Sequence, residues 1–317
     1  MSIAPYIKEI GRGKEGARSL TAEQAHELMS QVLDGQASDL EIGAFAIAMR
    51  IKGESIEELA GFLRSVHERC IPLHPTQPSL VLPSYNGARK LPNLTALLAL
   101  LLAQEGVPVL VHGPEHDPGR VTTAEIFHTL GLPIAQDSAD IHAAWARREP
   151  VFIRTEALCP PLARLLDVRR VIGLRNPGHT VAKLLAPAQG LRSMRVVNYT
   201  HPEYGRTLAE FLTSTRSDAM LMRGTEGEPV ADPRRLPRLD VFIDGQLRTE
   251  LSRAAQEGVL TEMPVLPRSH DAATTSLYIQ SVVSGEKPAP APLQQQVEAL
   301  LAALAALAQH TSKELSA

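Results

Sequence analysis

The chain is poor in several features that mark particular protein classes. Only two cysteines, Cys70 and Cys159, occur in 317 residues, and neither stands in a C-x-x-C or similar metal spacing. That argues against a disulfide framework and a cysteine-built metal site; both residues read as packed thiols of a reducing compartment. Aromatic residues make up 4%, too few for base stacking to be a main source of affinity for single-stranded nucleic acid. Long apolar runs are missing too: the longest, LTALLALLLA at 94–103, falls far short of the ~20 residues that span a bilayer. The N-terminal stretch MSIAPYIKEIGRGKEG holds no apolar signal region, so the expected location is cytoplasmic. Nor is there an overall excess of positive charge. A net charge of −3 and a pI near 6.4 argue against a chain that is basic all over, as many nucleic-acid binders are.

The charge is unevenly distributed, however. Between Pro160 and Arg206 stand Arg164, Arg169, Arg170, Arg175, Lys183, Arg192, Arg195 and Arg206, against only Asp167 and Glu203. So few interleaved acids make salt-bridge lacing a poor account of these cations and phosphate contact a better one. With 44% hydrophobic and 21% charged residues, the rest is typical of a soluble globular protein of one large or two ordinary domains.

Local patterns divide the chain. Thr21 with Gln24, Ser38-Asp39 and Ser55 each open a stretch with apolar residues at three-to-four spacing, which predicts three helices over 20–69. From residue 79 the pattern becomes strand and helix in alternation: LVLP, a helix over 93–105, VPVLVHG, a helix over 121–130, LPI and PVFIR, then SMRVVNY, DAMLMRG and LDVFIDG. Such alternation predicts a mostly parallel sheet covered by helices. The expected fold class is therefore α/β, with a small all-helical N-terminal domain and a larger α/β domain. The expected boundaries are 1–72 for the helical domain, joined by helices near 165–190, then 73–284 for the α/β domain. The proline-rich GEKPAPAPL at 285–293 reads as a linker, with an amphipathic helix over 294–309 in a terminal segment 285–317.

In parallel sheets ligands sit beyond the carboxyl ends of strands. The stretch SLVLPSYNGARK, 79–90, lies at such an end and has the shape of an anion-gripping loop: a strand, a proline stop, Asn86-Gly87, and the cations Arg89 and Lys90. It carries one glycine where a diphosphate loop usually needs two or three. Cations before a helix oppose its dipole unless an anion is near, which makes Arg89 and Lys90 ligand candidates. Asn93 and Thr95 read equally as helix caps, His112 as an interior histidine or a site residue, and His116 and Asp117 as exposed loop polars.

Residues 20–62 resemble the anthranilate phosphoribosyltransferase family (glycosyltransferase family 3, with the fold of nucleoside phosphorylases). They carry its L-T-x-E-x-A, G-x-x-x-D and A-x-R-x-K-G-E-[TS]-x-E-E-L-A-G motifs, and weaker agreement runs through GVPVLVHG, IFHTLG, RRVIG and VAKLLAP. The likeness implies the phosphoribosyltransferase class of that fold, a dimer through the helical domain, and transfer from magnesium-bound phosphoribosyl pyrophosphate. The departures fall on that chemistry. Ser84-Tyr85-Asn86-Gly87-Ala88 replaces the family's G-T-G-G-D loop, Pro114 replaces an asparagine, and Glu228-Pro229-Val230 stand where the family has Leu-Asp-Glu. Losing the adjacent carboxylates should weaken magnesium binding, leaving Glu226 and Glu228 as weak metal candidates. Two acids in a loop are otherwise expected to face solvent.

Together, PSYNGARK, RNPGHTVAKLL, HPEY and RGTEGE look like the family's divergent YbiB-type branch, a resemblance that implies dimers binding nucleic acid without sequence preference. The expected function is accordingly DNA or RNA binding by a homodimer through a basic inter-domain cleft, with no membrane role. The expected phosphate contacts are Asn86, Gly87, Arg89, Lys90, Asn93, Thr95, His112, Arg169, Arg170, Arg175, His179 and Lys183. The alternative is an active glycosyltransferase using anthranilate or another acceptor. No catalytic residue is assigned and no cofactor is expected, magnesium entering only with that alternative.

Overall fold

The computed structural model describes residues 2–13, 15–188 and 192–314. In chain order it contains α1 Ala4–Ile10, α2 Ala22–Leu33, α3 Asp39–Lys52, α4 Ile56–His67, β1 Ser79–Pro83, α5 Thr95–Gln104, β2 Val109–Gly113, α6 Thr123–Leu130, β3 Ile134–Ala135, α7 Ser138–Ala146 and β4 Val151–Arg154. There follow α8 Thr155–Leu158, α9 Pro160–Ile172, α10 Pro177–Ala182, β5 Ser193–Tyr199, α11 Pro202–Ser214, β6 Ala219–Arg223, β7 Leu239–Ile243, β8 Gln246–Leu247, α12 Ala272–Val283 and α13 Ala291–Glu314. The chain divides into two units: Met1–Ile71 with Thr155–Pro187, and Pro72–Arg154 with Ala188–Ala317. The expected stretches 165–190 and 285–317 extend at their ends outside the described residues.

In the helical unit the sequence sets each start locally. Thr21, Ser38 and Ser55 each accept the N–H of the residue three positions on, while Gln24, Glu41 and Glu58 return a bond to the cap. Each such box is worth about 1 kcal/mol by satisfying two amides that a helix end leaves unpaired. Glu58 does more. Fully buried, it accepts Lys52 Nζ at 2.6 Å and the Leu20 N–H at 3.0 Å, so the third box also ties α3 and the start of α2 to α4. Leu28, Met29, Phe45, Met49, Phe62 and Val66 fill the interior, with Phe45 edge-on to Phe62.

The α/β unit is built on an eight-stranded sheet in the order β3-β4-β2-β1-β5-β6-β7-β8. Pairing is parallel from β3 to β6 and antiparallel at β6-β7 and β7-β8. The apolar run at 94–103 becomes α5, whose Leu97, Leu98 and Leu102 are buried in the core. This explains a helix that is apolar all round in a protein where no described helix is long and apolar enough to cross a membrane. The proline-rich stretch is a shorter connection than its composition suggests: α13 begins at Ala291, and its Leu293, Leu300, Ala303 and Leu307 join the core of this unit. Burial of its apolar stripe, at about 25 cal/mol per Å², makes the terminal helix part of the fold.

Candidate functional site

At the carboxyl end of β1 the chain turns through Ser84–Leu94, and the sheet order brings the loop after β6, residues 224–230, to the same end. Glu228 from that second loop fills the first. Its Oε1 accepts the backbone N–H groups of Asn86 and Gly87, both at 2.7 Å, and its Oε2 accepts the Ser84 hydroxyl, with the Thr123 hydroxyl at 3.4 Å. Asn93 Nδ2 donates to Thr123 Oγ1 at 2.8 Å and Asn93 Oδ1 accepts the Thr95 N–H at 3.1 Å, so Asn93 supports the cradle from behind, while the Thr95 hydroxyl reaches Glu228 Oε2 itself at 3.5 Å. The loop holds an anion, and the anion is a carboxylate of the same chain.

A second nest repeats the pattern. The backbone N–H groups of Arg89, Lys90 and Leu91 converge on Glu226 Oε2 at 2.9, 2.9 and 3.1 Å. Burial alone would raise the Glu226 pKa, but these three donors and the Arg120 guanidinium outweigh it and hold the carboxyl below its usual range. Glu226 has φ +53°, a conformation that costs a residue with a Cβ on the order of 1 kcal/mol and is sustained here by those bonds. Gly227 follows at φ +88°, and any Cβ on it would strike the Asn86 amide, which donates to Glu226 O at 2.9 Å.

These placements correct one expectation and sharpen others. The two acids do not both face solvent: Glu228 is 1% exposed, because its carboxylate replaces water with amide and hydroxyl donors. The donors of Asn86 and Gly87 are engaged by Glu228, whereas the side chains of Arg89 and Lys90 are exposed. His112 is fully buried, with Nδ1 3.0 Å from the Tyr85 hydroxyl and the two rings edge to face. Of the three hydroxyls on Glu228, only that of Thr95 belongs to an expected site residue; the role of Glu228 itself and of Ser84 and Thr123 is not apparent in local pattern. The available signal is a glutamate standing where the family motif has leucine.

The residues do not fit magnesium-bound phosphoribosyl pyrophosphate. Carboxylates occupy both amide nests, Val230 at the second metal-carboxylate position is 1% exposed within the apolar core, and Pro229 precedes it. Among the described residues no three His, Cys, Asp or Glu side chains are grouped so as to hold a metal ion.

The cations of the helical unit form a second feature. Gly173, at φ +72°, ends α9; Asn176 then caps α10, accepting the Gly178 N–H at 3.0 Å and donating to Leu165 O at 2.6 Å. This folds the 174–183 segment back on α9, so that Arg175, Arg169 and Lys183 act together on His179. Burial and then these three charges push the His179 pKa down to about 4. The expected strip is smaller than its sequence suggests. Arg170 pairs with Asp167 at 3.1 Å, one helical turn away, so some salt-bridge lacing exists after all. In the α/β unit Arg192 is bidentate to Asp218 at 2.7 and 2.6 Å, and buried Arg195 donates to the Ser217 hydroxyl. Both cations are structural.

A helical bundle together with a mostly parallel sheet, carrying an anion cradle at its strand ends, is the architecture of a phosphoribosyltransferase-type protein. Residues 4–70 match the helical bundle domain of a glycosyl transferase family. The chain is 39% identical to YbiB of Escherichia coli (strain K12) over 96% of its length and 94% of that protein. It is 27% identical to the anthranilate phosphoribosyltransferase of Symbiobacterium thermophilum over 95% of its length and 86% of the enzyme. The anthranilate phosphoribosyltransferase of Saccharomyces cerevisiae, solved in complex with PRPP and Mg, shares the fold, with a TM-score of 0.62 at 12% identity over 98% of each chain. The chain belongs to the anthranilate phosphoribosyltransferase-like family, in the branch that contains YbiB.

Proposed function

We infer that this protein binds the phosphate backbone of DNA or RNA without sequence preference and acts as a homodimer in the cytoplasm. The observation that carries the reading is the convergence of Arg169, Arg175 and Lys183 on His179, with Arg170 beside them. Cations that bear on one histidine make a local positive field, which attracts a polyanion and gains from the release of its counterions. Exposed Arg89 and Lys90 of the α/β unit are offered as further phosphate contacts. Clustered charge is all that phosphate contact requires, so backbone contact is the chemistry this set supports best.

Support for a second copy comes from the helical unit. A groove of about 510 Å³ is lined by Ile7 and Ile10 of α1 and Leu40, Ile47 and Ile51 of α3, with Leu40 84% and Ile51 68% exposed. Contiguous apolar surface of this kind gains most when it is covered.

The deciding experiment is titration of the purified protein with a fluorescent oligonucleotide and, separately, with phosphoribosyl pyrophosphate and magnesium. Salt-sensitive binding of oligonucleotides of unrelated sequence is expected. Magnesium-dependent binding of the pyrophosphate with turnover of anthranilate would instead establish the glycosyltransferase alternative.

A further inference from the structure

Cys70 and Cys159, 89 positions apart in the sequence, meet in the helical unit. The Ile71 N–H donates to Leu158 O at 2.9 Å, which lays the segment leaving α4 beside the segment entering α9. Both sulfurs lie against one carbonyl, Val66 O, at 3.3 Å from Cys70 Sγ and 3.9 Å from Cys159 Sγ, so the two thiols share one acceptor. Their surroundings differ. Cys159 is the N-cap of the 13-residue α9 and lies near the Arg69 and Arg164 guanidinium groups. Cys70 is half-buried, whereas Cys159 is buried.

We propose that Cys70 and Cys159 form a redox-sensitive dithiol that hydrogen peroxide closes to an intramolecular disulfide, tying the end of α4 to the start of α9. The chemistry follows from the asymmetry of the two sites. The neighbouring Cys70 thiol and the two arginines favour thiolate at Cys159, whereas the neighbouring Cys159 and burial disfavour it at Cys70. The Cys159 thiolate attacks one peroxide oxygen, the O–O bond breaks, and the departing hydroxide leaves as water with the proton the thiol released. The resulting sulfenic acid lies within reach of Cys70. That sulfur attacks the sulfenic sulfur, the S–S bond forms, the S–O bond breaks, and the hydroxide takes the Cys70 proton as a second water. Two thiols and one peroxide give one disulfide and two waters. Dithiol reductants reverse the step by exchange, entering at the half-buried Cys70. The proposal is independent of nucleic-acid binding.

The test uses the full chain. After peroxide treatment, thiols are counted in denaturant, intact mass is measured, and the sample is run on a non-reducing gel. The expected result is loss of both thiols, a mass lower by two hydrogen atoms, no covalent dimer, and full recovery with dithiothreitol. Cys70→Ser should stop at a Cys159 sulfenic acid that dimedone traps when the sample is unfolded in its presence, and Cys159→Ser should slow thiol loss several-fold, because the sulfur that remains is the one whose thiolate is disfavoured. Persistence of both thiols in the native protein, under conditions that oxidise free cysteine, overturns the proposal. So does a disulfide formed between chains, or oxidation of Cys159→Ser as fast as that of the native protein.

Discussion

Glu228 accepts the backbone N–H of Gly87 at 2.7 Å across 141 positions of sequence. With the Asn86 N–H on the same oxygen and the Ser84 hydroxyl on the other, the carboxylate receives the donor set that a loop of this shape would otherwise offer to a phosphate. The cradle has kept its form and lost its vacancy.

Glu228→Gln should destabilise the protein by about 2–4 kcal/mol, since an amide keeps the shape but turns charge-assisted bonds into weaker ones and sets an NH₂ against a donor. Chemical denaturation measures this. Glu228→Ala leaves the donors without an acceptor, so millimolar inorganic pyrophosphate should raise its melting temperature by about 2 °C or more while leaving the parent unchanged. An equal response in both proteins would mean that the nest is open to external anions already.

Arg89→Ala with Lys90→Ala should weaken oligonucleotide binding without lowering the melting temperature. The side chains are exposed, and the bonds to Glu226 come from backbone N–H groups that alanine retains. Unchanged affinity would return both cations to plain solvated surface.

The slope of log affinity against log salt should be roughly −0.9 per phosphate neutralised on duplex DNA and about −0.7 on single strands. Lys183→Ala should flatten it by about one unit per affected contact, with a similar loss on every sequence tried. A shallow slope at low salt, below about two phosphates' worth, would remove the main support for backbone binding.

Oligonucleotide affinity should rise several-fold as pH falls from about 7 to about 5, because phosphate near Arg169, Arg175 and Lys183 favours a charged His179 and raises its pKa from the free value of about 4. His179→Gln should remove this component. Folding stability has the opposite sign. The folded pKa lies below the ordinary 6.5, so the unfolded chain binds the proton first, and stability is lost as pH falls from 6.5 toward about 4. Titrations of binding and of unfolding against pH separate the two effects.

Local chemistry determined much of this protein. The Thr21, Ser38 and Ser55 boxes, the alternation of strand and helix after residue 79, and the anion-loop shape of 79–90 all rest on neighbours a few positions apart. The cluster of cations over 164–206 was equally visible, yet its meaning was divided by the fold: Arg169, Arg175 and Lys183 gather on His179, while Arg192 and Arg195 serve Asp218 and Ser217. Only the tertiary structure decided which anion the loop holds and that the two cysteines meet. The strand order β1-β5-β6 carries Glu228 to the end of β1, and the Ile71–Leu158 bond carries Cys70 to Cys159. Periodicity and capping encode elements because they act within a few residues. Which carboxylate reaches which amide is fixed by crossover connections that span a hundred residues and leave no local trace.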